Sequence, residues 1–137
     1  VSLVLDTSAT IAGLYPNEST SAIHAVFDRV GNDGAWVPSL WRLEVANVLN
    51  IGIRRGRNTA AFRDAALTDL AGLSIQVDLD TDHHAWHSTL HLATIHNLTL
   101  YDAAYLELAL RRGLPLASLD TDLRAAAAAE GIELLGQ

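Results

Sequence analysis

Short apolar runs alternate with stretches of helical periodicity from one end of the chain to the other. Residues 2–6 (SLVLD), 35–38 (AWVP), 74–78 (SIQVD), 115–119 (PLASL) and 132–135 (IELL) each read as a brief buried strand. Between them, apolar residues repeat at three and four positions, the mark of helices that bury one face. Helices are predicted over 8–14, capped by Thr7 or Ser8 and broken at Tyr15-Pro16-Asn17, and from Ser19 or Thr20 to Val30, closed by Gly31-Asn32. Others are predicted over 40–55, 59–71, 82–97, 99–112 and 121–130, the glycines at 56, 72, 113 and 131 serving as stops. Strands separated by helices join through crossovers, so the expected sheet is five-stranded and mainly parallel. Such sheets bind ligands beyond the carboxyl ends of their strands, where strand order reverses.

At 137 residues the chain fits one domain over 1–137, able to bury a core without staples. With no cysteine, disulfides and thiolate-held zinc are excluded, and a reducing cytoplasm is the expected location. No apolar run approaches the roughly 20 residues of a membrane span. The opening VSLVLD carries an acid at position 6 and no basic leader, so it reads as a first strand and not as a signal peptide. The net charge is −7 and all nine basic residues are arginine. Bulk charge therefore cannot grip a nucleic acid; a local arginine patch and a bound cation would have to.

Four acids stand out. Asp6 ends the first strand and Asp120 follows the fourth, both at the edge where an open α/β sheet places its chemistry. Each is equally suited to cap the helix after it. Glu44 lies in WRLEVANVLNIGIRR, sharing a stripe with Leu40, Asn47 and Ile51 and flanked by Val45 and Val48. A carboxylate among such neighbours must face a polar cavity or reach solvent. Asp102 comes three residues after Thr99 in TLYDAAYLELA, a capping-box spacing that also aims a carboxylate from a helix start. Four carboxylates meeting in one place would raise one another's pKa unless a cation joined them. A hard divalent ion prefers such oxygen ligands, activates water and neutralises a phosphodiester transition state.

VLDTSA, LEVANVL, LTLYDAAYLELA and LASLDTDL stand in an order and spacing that resemble the four acidic motifs of PIN-domain nucleases, most of all VapC-type toxins of type II toxin–antitoxin pairs. The resemblance spans nearly the whole chain. It implies a three-layer α/β/α sandwich and an endoribonuclease dependent on Mg²⁺ or Mn²⁺ that leaves 5′-phosphate and 3′-hydroxyl ends. It assigns Asp6, Glu44, Asp102 and Asp120 to the catalytic quartet, with Asp6, Asp102 and Asp120 as metal ligands. Ser8 matches an accessory hydroxyl, and Asp122 a further acid found in some members. It also implies an RNA substrate, a cognate antitoxin and a homodimer, with no membrane role. The competing reading is an inactive PIN-like module that only binds RNA or protein.

Other residues carry weaker signals. Arg54, Arg55 and Arg57 suit either the end of a helix or an RNA backbone. His83, His87 and His91 recur at i, i+4, a chelating spacing, on a helix whose Trp86, Leu90 and Ala93 are expected to face the core. Ile11, Leu14, Ile23, Val26, Phe27 and Leu49 are expected to leave enough apolar surface for a groove that takes an amphipathic antitoxin peptide. Asp120-Thr121-Asp122 resembles the aspartate pair of haloacid-dehalogenase-like phosphatases, but at the wrong strand. A phosphorylated receiver domain would need a late lysine, which is absent.

Overall fold

The computed structural model describes residues 1–137. Strands β1 (Leu3–Leu5), β2 (Ala35–Val37), β3 (Ile75–Val77), β4 (Leu116–Ala117) and β5 (Leu134–Leu135) form one sheet in the order β3-β2-β1-β4-β5. All four pairings are parallel, with Val4 of β1 between Trp36 of β2 and Leu116 of β4. The chain steps outward from β1 to β3, then returns to lay β4 against the other side of β1. Strand order therefore reverses between β1 and β4, which makes their carboxyl ends the switch point of the sheet.

The helices are α1 (Thr7–Leu14), α2 (Ser21–Asp33), α3 (Trp41–Arg54), α4 (Ala60–Ala71), α5 (Thr81–His84), α6 (Leu90–His96), α7 (Leu100–Arg112) and α8 (Thr121–Ala129). Right-handed crossovers put α1–α4 on one face and α5–α8 on the other. The contacts agree: α1 packs on α2 and α3, and α3 on α4, while α7 packs on α6 and α8 and covers β1 and β4. The result is the expected α/β/α sandwich. Leu3, Val4 and Leu5 are fully buried, as a central strand covered on both faces requires. No helix is long and apolar enough to cross a membrane.

Several local expectations are corrected. The stretch expected as one helix over 82–97 is interrupted by a π-helical turn, Ala85–Thr89, with His87 at φ −120° and ψ −106°. The extra residue rotates α6 out of register with α5. Trp86 is consequently 84 % exposed and Leu90 46 %, and only Ala93 of that trio joins the core. No three of the histidines stand together as a metal-holding group. The cap of α1 is Asp6, not Thr7 or Ser8, and α2 runs on to Asp33, where Gly34 takes φ 77°. The apolar residues expected to line a groove are largely spent inside: Ile11, Ile23, Val26 and Leu49 are buried, and Leu14 and Phe27 pack against the same core.

Candidate active site

Asp6 leaves β1 and caps α1, its Oδ1 accepting from the Ala9 amide at 2.8 Å. Both its oxygens lie 2.8 Å from the Ser8 hydroxyl, and Oδ2 accepts from the Ser118 hydroxyl at 2.5 Å. Ser8 in turn accepts from the Leu119 amide, and Ser118 from the Asp120 amide, so the two serines lace the end of β1 to the end of β4. Asp120 caps α8 through the Leu123 amide. Both strand-end acids are therefore helix caps, and the cap engages only one oxygen of Asp120.

Glu44 sits in the first turn of α3, beside the buried stripe of Trp41, Val45 and Leu49. Its Oε1 accepts from the Tyr105 hydroxyl at 2.5 Å and the Thr7 hydroxyl at 3.0 Å. Asp102 lies in the first turn of α7, its amide capped by Thr99 at 3.1 Å. A helix start there directs a carboxylate back over the strand ends.

The electrostatics connect these acids. Burial pushes Asp6 up to about 6, against the pull of the Ala9 amide and the serine hydroxyls, and Asp120 adds to the rise. Burial raises Asp102 as well, and Asp120, Glu44 and Asp122 raise it further. Asp120 is therefore felt by Asp6 and Asp102 alike. None of Asp6, Glu44, Asp102, Asp120 or Asp122 is paired with an arginine.

Asp78, just past the end of β3, shows how a buried strand-end acid behaves when it serves the fold alone. Burial acts to raise its pKa, but Arg111 grips it through two nitrogens at 3.1 and 2.6 Å and holds the carboxyl below its ordinary value. The acids at the switch point have no such partner. Their donor set is all oxygen and all anionic, which suits a hard divalent cation. No three of the chain's Asp, Glu or His side chains stand together as a metal-holding group, and the Asp6 oxygens are engaged by the serine hydroxyls.

Thr7, Tyr105 and Ser118 join the site although the sequence did not single them out. Ser118 precedes Asp120 by two as Ser8 comes two after Asp6, and that symmetry was the available signal. Asp122 is exposed in the first turn of α8. Arg54 and Arg55 are exposed at the far end of α3, about 15 Å along the axis from Glu44. Arg57 is committed to Glu18 and lies 3.9 Å over the Tyr15 ring.

A family model described as the PIN domain matches residues 3–129. Among solved structures, the chain is similar to the crystal structure of PAE2754 from Pyrobaculum aerophilum at a TM-score of 0.70 and 26 % identity, over 98 % of this chain and 83 % of that one. No curated protein matches the chain.

Proposed function

The chain belongs to the PIN-domain family, and we propose that it is a divalent-metal-dependent endoribonuclease acting as the toxin of a VapC-type toxin–antitoxin pair. PIN domains are generally metal-dependent nucleases that act on RNA. One observation supports that activity here above all. Burial holds Asp6 and Asp102 above the ordinary proton affinity of a carboxylate, Asp120 adds to both and Glu44 and Asp122 add to Asp102, with no arginine to offset them, while the acid after β3 has one. An uncompensated acidic cluster of this kind costs stability, and a cation removes the cost.

In this reading Asp6, Asp102 and Asp120 hold Mg²⁺ or Mn²⁺, and Glu44 is the fourth catalytic carboxylate. The ion supplies Lewis-acid stabilisation of the phosphodiester transition state and lowers the pKa of water. The chain's own groups do the rest. Ser8 and Ser118 hold Asp6 against the end of β4 and fix where its charge lies. The start of α7 holds Asp102, and Asp122 adds negative charge at the rim. Hydrolysis leaves 5′-phosphate and 3′-hydroxyl ends. With a net charge of −7, affinity for RNA falls to exposed arginines such as Arg54 and Arg55, with Arg57 contributing only by leaving Glu18. The same acidic crevice is a target for a basic side chain of an antitoxin, and the active form is proposed to be a cytoplasmic homodimer.

A non-catalytic PIN-like binding module is the second reading. The engagement of Asp6 by two serines, with no finished ligand set, favours it. The two separate in one assay: cleavage of single-stranded RNA in Mn²⁺, abolished by excess EDTA, supports the nuclease, and RNA retention without cleavage supports the module.

A further inference from the structure

Glu44 is half-buried, and only one of its two oxygens is in use. Oε1 lies 2.5 Å from the Tyr105 hydroxyl and 3.0 Å from that of Thr7, and the two hydroxyl oxygens are themselves 3.0 Å apart. Oε2 makes no hydrogen bond. The corners of this triangle come from α1, α3 and α7, so it spans both helical layers at the end of β1.

A proton count shows how the triangle works. When Glu44 is ionised, two hydroxyl protons serve three close contacts. The 2.5 Å contact is in the range of an O–H donating to a carboxylate, so the Tyr105 proton goes to Oε1. The Thr7 proton goes to Oε1 or to the phenol oxygen. In both arrangements Oε1 is held by a side chain that cannot follow it, since Tyr105 is 2 % exposed and its ring is part of the core. The carboxylate plane is thereby set, and the oxygen left over faces no competitor within the chain. Glu44 also raises the proton affinity of Asp102, so its charge is felt at the crevice.

We propose that Tyr105 and Thr7 are positioning residues for Glu44, pinning Oε1 so that Oε2 is the oxygen offered to whatever the acidic crevice binds. The inference rests on the nuclease reading. It contrasts with a purely structural role, in which Glu44 merely satisfies a buried phenol. A pinned carboxylate binds and reacts better because its orientation is fixed before the ligand arrives; losing such a supporting hydrogen bond costs about tenfold to a hundredfold in metal affinity or activity.

The test compares wild type, Tyr105→Phe, Thr7→Val, Thr7→Ser, Glu44→Gln and the Tyr105→Phe/Glu44→Gln double variant. Two quantities are read: Mn²⁺ affinity by calorimetry, and kcat and KM on a single-stranded RNA oligonucleotide. Tyr105→Phe and Thr7→Val are expected to lose about tenfold to a hundredfold in kcat and to weaken Mn²⁺ binding, with KM little changed. Thr7→Ser, which keeps the hydroxyl, is expected to retain near wild-type values. In the Glu44→Gln background Tyr105→Phe is expected to add nothing further, because both changes remove one unit of function. If Tyr105→Phe does not fold, the Thr7 pair carries the same comparison. A folded Tyr105→Phe or Thr7→Val with unchanged kcat and Mn²⁺ affinity overturns the proposal alone, as does an equal loss in both backgrounds. A wild type that neither binds Mn²⁺ nor cleaves RNA overturns the nuclease reading and the proposal together.

Discussion

Asp6 combines a cap, two serine hydrogen bonds and full burial, and its titration has a definite consequence. Its carboxyl titrates near 3.8 in the unfolded chain and at about 6 in the folded one. Well below the lower value both states hold the proton; between the two values only the folded state does. Stability from this group is therefore greatest in acid and is lost as pH rises through about 6, by about 3 kcal/mol at most. Urea unfolding in EDTA, followed from acid to neutral pH, should show that fall in wild type and not in Asp6→Asn. Parallel curves for the two proteins would contradict it. Ser118→Ala should lower stability by about 1–2 kcal/mol, because it strips a donor from buried Asp6 and an acceptor from the Asp120 amide. An unchanged urea midpoint would show that the serine does not support the acid.

Helix α7 carries function at its start and architecture at its end. Asp102 occupies the first turn, while Arg111 in the last turn binds Asp78 and Glu107, which are 1 % and 5 % exposed. Arg111→Ala would leave two buried carboxylates without their main cation. The expected cost is about 3–5 kcal/mol, read as a fall in the unfolding midpoint. Arg112, 3.5 Å from Asp78 and stacked over Trp36, is too long a contact to replace it. A midpoint within error of wild type would refute this account of the pair. The partner of α7 was the element least legible in the sequence. Residues 85–89 (AWHST) hold neither glycine nor proline, so nothing local announces a π-helical turn. The turn belongs to packing against α7, with Thr89, Leu92 and Ala93 buried and Trp86 turned outward.

Across the whole molecule, the legible features are the local ones. Strand-then-helix alternation predicted a parallel sheet, and the acids ending apolar runs pointed to the strand termini. The return of β4 to the side of β1 is a tertiary event that no short segment encodes, yet it makes Asp6 and Asp120 neighbours. The Thr7 and Tyr105 contacts to Glu44 were illegible for the same reason: they depend on which elements meet. The residues expected to line a peptide groove lie instead on the core-facing stripes of their helices, Ile23 and Val26 in α2 and Leu49 in α3.

The central claim is that the unpaired carboxylates at the switch point hold a divalent cation that cleaves RNA. Its most direct measurement is cleavage of a single-stranded RNA oligonucleotide by wild type and Asp6→Asn in Mg²⁺, Mn²⁺, Ca²⁺ and excess EDTA. The account predicts cleavage by wild type in Mg²⁺ and Mn²⁺, little in Ca²⁺ with its looser geometry, and none in EDTA. It predicts for Asp6→Asn a loss beyond the roughly hundredfold that removing a ligand's supporting partner costs. Full activity of folded Asp6→Asn, or undiminished cleavage in EDTA, would contradict it.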